Sequence, residues 1–539
     1  MRIDPPALQG LDSRRLRAML RGIEKESLRV TPQGLLADTP HPLVLGAALT
    51  HPHITTDYSE AQLELITGVH ADPEACLREL QDIHQFTCQA LDAQAGELLW
   101  PASMPARLPE EDQIPIGHYG RSNVGQAKSV YRLGLGWRYG RRMQTISGIH
   151  YNWSMPGVDS AQYFALIRNF RRHAFLLLVL FGASPALARD FVAGRAHGLQ
   201  DLSESTLYLP HATSLRMGPL GYQSDAQARL AVSYNGLDGY AASLHGALTQ
   251  PYPAYEAIGL RGADGSWRQL ATSLLQIENE FYGTIRPKRG IFPGERPLHA
   301  LRERGVEYVE VRLMDLDPFE PVGISAQTMR FLDIFLLYCL QADSPPDTPQ
   351  EIARIARNQQ RVAGQGREPG LLLEGAEGPV PLAEWASALL EALEPVARRL
   401  DQALVEPAPA AGGHSSQNAS GHSSSHPHQA ALAAAKRALA EPERLPSARV
   451  LARMAADHGN DFMDFGLAQA RQQRRAIAAF PADAALRTRF QALSAQSLRE
   501  QAQIEAADTL PFEEYRRQYT APERLGLGRQ AIADGITAA

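Results

Sequence analysis

Gly-Ile-Glu-Lys-Glu-Ser-Leu-Arg-Val (residues 22–30) sets two carboxylates inside an apolar, strand-like segment. Successive side chains of a strand point to opposite faces, so Glu24 and Glu26 share one. Outward from this stretch the pattern recurs. Residues 55–67 (Thr-Thr-Asp-Tyr-Ser-Glu-Ala-Gln-Leu-Glu-Leu-Ile-Thr) put Glu60 and Glu64 on a common face. Residues 306–314 (Val-Glu-Tyr-Val-Glu-Val-Arg-Leu-Met) do the same for Glu310 and Arg312. Residues 144–154 (Gln-Thr-Ile-Ser-Gly-Ile-His-Tyr-Asn-Trp-Ser) alternate as a strand and group His150 with Gly148 and Asn152. Carboxylates gathered on one sheet face repel each other unless cations lie among them. A divalent-metal site is expected there, together with a phosphate-bearing substrate.

The rest of the chain bounds this reading. Its 539 residues are 44% hydrophobic and 21% charged, as in soluble globular proteins. A net charge of −6 argues against a general nucleic-acid binder. The lysines are Lys25, Lys128, Lys288 and Lys436, so arginine forks should dominate any anion site. Three cysteines without a CxxC pair suggest a reducing compartment and no disulfide framework. Cys339, in an apolar run, reads as packing. The N-terminus has no apolar signal region, and the apolar run 174–183 is too short to span a bilayer, which needs about 20 residues. The expectation is a cytoplasmic protein.

Periodicity predicts helices at 74–98, 160–182 and 323–342, the last apolar nearly all round, and strands at 144–154, 273–283 and 306–314. Residues 107–143, rich in glycine, read as loops. Residues 406–428 are rich in His, Ser, Ala and Pro and read as a flexible insertion. The spacing of its histidines (His414, His422, His426, His428) matches no defined metal site. Residues 429–509 are Ala/Arg-rich and helical. Helices and strands intersperse without regular βαβ alternation, which favours α+β with a mixed or antiparallel sheet.

Familiar nucleotide and hydrolase motifs (GxxxxGK[ST], GxGxxG at a strand-to-helix turn, GxSxG, HExxH) are missing. If ATP binds, metals and arginines must hold its phosphates. Each acid pair alone would be an ordinary solvated face; the joint occurrence of Glu24, Glu26, Glu64 and Glu310 between β-formers favours a Mg²⁺ site shared with phosphates. His150 is either a satisfied core histidine or a ligand to the same cluster. Arg312 either pairs a neighbouring acid or stabilises charge on a transferring phosphoryl group. Ile-Arg-Pro-Lys-Arg (285–289) is either a solvated loop or a guide for an anionic substrate.

Several long motifs, in order, resemble the proteobacterial type of glutamate–cysteine ligase. They are residues 22–30, Leu-Thr-His-Pro-His-Ile followed by residues 55–67, Met-Gln followed by Thr145 to Ser154, Trp-Pro-Ala-Ser-Met-Pro (100–105), Phe-Gly-Ala-Ser-Pro-Ala (181–186), Leu-Gln-Ile-Glu-Asn-Glu-Phe-Tyr (275–282), 285–289 and Glu-Tyr-Val-Glu-Val-Arg. The resemblance runs from about residue 20 to residue 512. It implies a glutamine-synthetase-like funnel of antiparallel strands with helices outside. It implies ATP-dependent joining of the L-glutamate γ-carboxylate to the L-cysteine amine, the first step of glutathione synthesis. By position, Glu24, Glu26, Asp57, Glu64, His150 and Glu310 match metal-binding residues, for Mg²⁺ or alternatively Mn²⁺. Tyr58, Tyr131, Leu135, Tyr222 and Tyr282 match the cysteine pocket, and His150 also adjoins substrate. Arg132, Arg216 and Arg312 match arginines that contact substrate or phosphate, with Arg132 and Arg312 in the catalytic role. Asn279 matches a position near the nucleotide. Glu60 matches no ligand position.

Tyr58 stands where relatives often have Phe, and the 406–428 insertion inherits no role. One catalytic domain over 1–539 is expected, without a fused glutathione synthetase domain, as a monomer open to feedback inhibition by glutathione. A related ligase using another amine, a metal-dependent phosphohydrolase and a non-catalytic ATP- or metal-binding regulator are the alternatives.

Overall fold

In the computed structural model the described residues are 11–526, less 95, 222–224, 229, 231, 293, 407–425 and 482. Tyr222 and most of the 406–428 segment therefore lie outside the described residues. The centre of the fold is an antiparallel sheet. Its strands are β1 (Leu20–Val30), β2 (Ile54–Thr56), β3 (Gln62–Ile66), β4 (Leu98–Leu99), β5 (Ile149–Ser154), β6 (Ile285–Lys288) and β7 (Tyr308–Met314). The seven strands run in the order β2-β3-β1-β5-β7-β6, with β4 on the far end of β1, and do not close into a barrel. Every pairing is antiparallel. The architecture is α+β, as expected.

Residues directly opposite each other in neighbouring strands share a face. Glu26 lies opposite Glu64, Glu24 opposite His150, and Glu310 opposite both Asn152 and Arg286. The register thus assembles one polar row across five strands. The other face carries Ile23, Leu63, Leu65, Tyr151, Trp153, Val309 and Val311, all buried. Helix α1 (Pro73–Gln94) packs on that face against β1 and β3.

Helix α2 (Asn123–Tyr139) occupies the region read as loops. Its glycines mark close approaches rather than turns. A Cβ at Gly125 would sit 2.2 Å from the Tyr119 carbonyl oxygen, and one at Gly134 2.2 Å from Gln276 Oε1. Ser122 caps the helix by accepting from the Gly125 amide. The predicted helix at 160–182 is divided at Ala174 into α3 (Ser160–His173), opened by an Asp159–Gln162 capping box, and α4 (Phe175–Phe181). Helix α5 (Ala326–Gln341) is buried over most of its circumference, Cys339 included, as predicted. Asp333 of α5 pairs with Arg21 at 3.1 Å and accepts from the Tyr151 hydroxyl at 2.8 Å. This buried triad ties the helix to β1 and β5.

Three strand expectations need correction. Residues 273–283 hold a short 3₁₀ turn at Glu278–Glu280, and the strand follows them as β6. Pro287 in β6 is tolerated because β6 is the sheet edge. The strand predicted over 144–154 is confined to Ile149–Ser154, because residues Arg141–Gln144 form a helical turn. Glu60 does not share a strand with Glu64: it sits in the turn before β3, where its carboxylate accepts from the His41 and His118 amides at 2.9 and 2.8 Å.

Farther on, α6 (Glu394–Val405) and α7 (Pro427–Ala440) flank the His/Ser segment. His428, assigned to the insertion, belongs instead to α7, where its amide and ring bond Asp401 at 2.9 and 2.8 Å. Helices α8 (Phe462–Ala478), α9 (Ala484–Ala507) and α10 (Phe512–Tyr519) complete the helical C-terminal region. Among the described residues, no helix is long and apolar enough to cross a membrane.

Candidate active site

A cavity of about 390 Å³ opens over the polar row. Its floor is Glu24, Glu64, His150, Glu310 and Arg312 from four strands. Helix α2 supplies one wall through Lys128, Tyr131, Arg132 and Leu135. The spacings of three, four and seven residues put these on one helix face. Asp57 and Tyr58 enter from the turn between β2 and β3, and Asn279 and Tyr282 from the segment before β6.

Each floor group is held by its neighbours. Glu24 accepts from Asn152 Nδ2 at 2.8 Å and meets His150 Nδ1 at 3.1 Å. Glu310 accepts from Lys288 Nζ at 3.1 Å and from Arg312 Nη1 at 3.0 Å, and His150 Nδ1 lies 3.9 Å from it. Arg312 rides on a β-bulge, since β7 slips against β5 between Val311 and Met314. Such bulges re-aim side chains. The Arg312 guanidinium therefore meets both Glu310 and, at 3.4 Å, His150. Arg132 donates through Nε to the Asp57 carbonyl and lies 4.4 Å from the Tyr119 ring.

The charges divide the floor into two ends. Burial opposes ionisation of Glu310, but Lys288 and Arg312 outweigh it and hold its pKa well below the usual carboxylate range. Burial also opposes ionisation of Glu24, and the hydrogen bond with His150 leads the opposing effects that bring it below that range. At the other end, burial and then repulsion by Glu24 and Asp57 push Glu64 well above it. Burial and then Asp57 push Glu26 up to about 8. Burial and then Arg312 lower His150.

Glu26 does not line the cavity. One of its oxygens accepts from the Gly148 amide at 2.7 Å, while the buried Oε1 makes no hydrogen bond and faces His150 Nε2 at 3.5 Å. Donor atoms of Glu24, His150 and Glu310 lie within 4.8 Å of one another. An orphaned carboxylate oxygen, mutually repelling acids and an oxygen-rich donor set with one imidazole fit a hard divalent cation.

Of the residues singled out by sequence, Glu24, Asp57, Tyr58, Glu64, Tyr131, Arg132, Leu135, His150, Asn279, Tyr282, Glu310 and Arg312 all line this one cavity. Arg216 does not. Its buried guanidinium lies flat on Gly148, donates to the Arg312 carbonyl at 2.9 Å, and stands 3.9 Å from Asp315. Sequence reasoning missed Gln144, which donates to the Tyr282 hydroxyl at 2.9 Å, and underrated lysine: Lys128 and Lys288 both line the cavity. Arg286 and Lys288, two apart in β6, follow the same alternation that revealed the acids, and Lys128 lies one helical turn before Arg132.

Compared with known proteins, residues 8–362 match the protein-family model described as glutamate-cysteine ligase. A glutamate–cysteine ligase of Azotobacter vinelandii is 48% identical over 537 residues, 96% of this chain and 96% of its own. One from Bordetella bronchiseptica is 48% identical over 93% of this chain and 94% of its own. Among solved structures, the glutamate–cysteine ligase of Francisella tularensis, crystallised in complex with AMP, is similar at a TM-score of 0.85 and 35% identity, over 93% of this chain and 97% of that one. A bifunctional glutathione synthetase of Pasteurella multocida shares the fold at a TM-score of 0.65 and 24% identity, over 86% of this chain and 53% of that one.

Proposed function

Since the chain belongs to the glutamate–cysteine ligase family, we propose that the cavity over its central sheet is where ATP, L-glutamate and L-cysteine meet. The protein is an ATP-dependent ligase that forms γ-glutamylcysteine, the first step of glutathione synthesis. The glutamate γ-carboxylate attacks the γ-phosphorus of ATP, ADP leaves, and the cysteine amine then displaces phosphate from the γ-glutamyl phosphate. No enzyme nucleophile is required; the protein positions the reactants and neutralises charge.

Arg312 and Lys288, fixed on Glu310, would offset the negative charge that accumulates on the transferring phosphoryl group. Arg132, anchored on the Asp57 carbonyl, faces the same space from α2. Glu24, Glu26, Asp57, Glu64, His150 and Glu310 would hold a divalent cation, Mg²⁺ or Mn²⁺. When bound, it supplies the positive charge that a triphosphate needs beside so many carboxylates. Asn279 adjoins the nucleotide in this reading, and the AMP of the Francisella relative supports a nucleotide site. Tyr58, Tyr131, Leu135 and Tyr282 surround the cysteine, with Tyr222 added by resemblance.

The observation that carries the reading is the row in which Glu24, His150 and Glu310 converge beside Arg312. ADP release is the test, measured with glutamate alone, with added cysteine, and with added 2-aminobutyrate. Release that depends on an amine supports the ligase; equal release without one would make the cavity a phosphohydrolase site. The protein is read as a cytoplasmic monomer, with Cys76, Cys88 and Cys339 as free thiols. Light scattering and competition of glutathione against glutamate check the oligomeric state and feedback.

A further inference from the structure

Two walls of the cavity carry opposite charge and come from separate stretches of the chain. Asp57 stands on the turn between β2 and β3, and Lys128 and Arg132 stand on α2. The residue that joins them belongs to neither wall. Tyr119 does not line the cavity and is 1% exposed, yet it contacts the residues of both.

The Tyr119 hydroxyl accepts from Thr56 Oγ1 at 2.9 Å and points its own proton at the Thr56 and Asp57 carbonyls, 2.7 and 3.1 Å away. The ring turns toward α2. The Arg132 guanidinium lies 4.4 Å from the ring centre and the Lys128 ammonium 5.1 Å. Arg132 also donates to the Asp57 carbonyl that the phenol binds, and to the Lys128 carbonyl at 3.0 Å. Lys128 and Arg132 are four residues apart on one helix, where like charges repel. An aromatic face is negative at its centre and attracts cations within about 6 Å. The ring therefore offsets the repulsion between the two cations without placing another carboxylate in the cavity.

The backbone is shaped for this contact. A Cβ on Gly125 would lie 2.2 Å from the Tyr119 carbonyl oxygen, so the first turn of α2 rests directly on Tyr119. A Cβ on Gly117 would lie 3.0 Å from the Tyr119 hydroxyl and 3.2 Å from Cε2. The Gly117 amide donates to the Tyr58 carbonyl at 2.9 Å, and the Ser129 hydroxyl of α2 donates to the Gly117 carbonyl at 2.9 Å. Tyr119 is thus wedged between the acidic turn and the cationic helix.

We propose that Tyr119 is a positioning residue whose ring face seats Arg132, with Lys128 beside it, at a fixed distance from the Asp57 turn. This rests on the ligase reading, in which Arg132 faces the transferring phosphoryl group from α2. The test uses the full-length chain. Tyr119→Phe keeps the ring face and serves as the reference. That phenylalanine is then replaced by analogues fluorinated at one, two and three ring positions, which drain the negative face with little change of shape. Amine-dependent ADP release at saturating Mg²⁺ gives kcat and the KM of each substrate. Melting temperature is followed across the series, with Arg132 intact and in Arg132→Met.

With Arg132 intact, kcat should fall stepwise, on the order of 10-fold by the third fluorine, while the KM values move less than about threefold. Melting temperature should fall in the same order, and less steeply in Arg132→Met. A ring that served only as packing would leave both flat. A flat kcat series would overturn the proposal, as would a melting series equally steep with and without Arg132. Collapse of activity in Tyr119→Phe itself would assign the effect to the hydroxyl and overturn the role of the ring. Wild-type ADP release indifferent to both amino acids would instead overturn the ligase reading, before any variant is compared.

Discussion

Gly148→Ala should disable the enzyme from a residue that does not line the cavity. Gly148 precedes His150 by two residues, and Arg216 fills the space above it. A Cβ there would lie 2.1 Å from Nη2, 2.4 Å from Cζ and 2.8 Å from Nε of Arg216. These approaches are short of van der Waals contact by roughly 1 Å or more. Arg216 cannot swing away cheaply. It is buried, bonds the Arg312 carbonyl at 2.9 Å and faces Asp315. Asp315 is itself held by the Ala183 amide and the Ser184 and Ser214 hydroxyls.

The displacement must then pass to one of two places. Either the Arg312 bulge moves, or the Gly148 backbone does, and with it the 2.7 Å bond to Glu26. Overpacking of this kind costs about 1–3 kcal/mol of stability. A shift of about 1 Å at a reacting geometry costs on the order of 10²-fold in rate. The assay is amine-dependent ADP release together with thermal unfolding. The variant should stay folded, melt lower and lose about two orders of magnitude in kcat. Arg216→Lys in the same chain, which removes the guanidinium plane, should restore part of the melting temperature. A Gly148→Ala enzyme with wild-type melting and kcat within about threefold would refute this account of how Arg312 is positioned.

Glu310→Gln should lower activity by about 10²–10³-fold, because it frees both Lys288 and Arg312 from the carboxylate that positions them for the proposed phosphoryl contact. Glu24→Gln should do similarly, and near wild-type turnover in either would sink the assignment of the polar row. Adding Mg²⁺ to chelator-treated protein should raise its melting temperature, and Glu26→Gln should shrink the rise; an unchanged rise would remove Glu26 from the metal set. Burial, aided by His53, lowers His51 to about 4; burial lowers His173 to about 3; burial, aided by Lys25, puts His84 well below 6.5. Below pH 6.5 the unfolded chain takes up protons that the folded one refuses, so stability should fall as pH drops, by about 1.4 kcal/mol per unit for each histidine. His51→Asn, which keeps an acceptor for the His53 and Ile54 amides, should flatten the melting-temperature profile between pH 6.5 and 5; an unchanged slope would mean His51 titrates normally in the fold.

The polar row was legible because the period of a strand leaves its mark on single segments. Glu24 with Glu26, His150 with Asn152 and Glu310 with Arg312 each declared a face before any pairing was known. What no segment contains is the register. That Glu26 meets Glu64, and Glu310 meets Arg286, follows from pairings between distant strands. The cation supply of β6 was hidden for a related reason: Pro287 argues against a strand unless the strand is an edge, and being an edge is a property of the whole sheet. Helix α2 was hidden by its glycines, whose use depends on Tyr119, Gln276 and Tyr58 approaching from elsewhere. His428 was read with its Ser-rich neighbours because the Asp401 that holds it is remote in sequence.

These misreadings bear on the chemistry as well as the fold. Read segment by segment, the acids demanded cations, and divalent metal together with arginine forks was the supply expected. Once β6 is placed beside β7, Lys288 joins Arg312 on Glu310, while Glu26, Asp57 and Glu64 still repel one another at the other end despite Arg132. The same sheet therefore carries two electrostatic environments along its width. The Glu310 end is charge-balanced by Lys288 and Arg312. At the Glu64 end burial and mutual repulsion outweigh Arg132, and in the proposed reading a divalent cation held by the acids between Glu64 and Glu310 supplies the balance where several oxygens must converge on one centre.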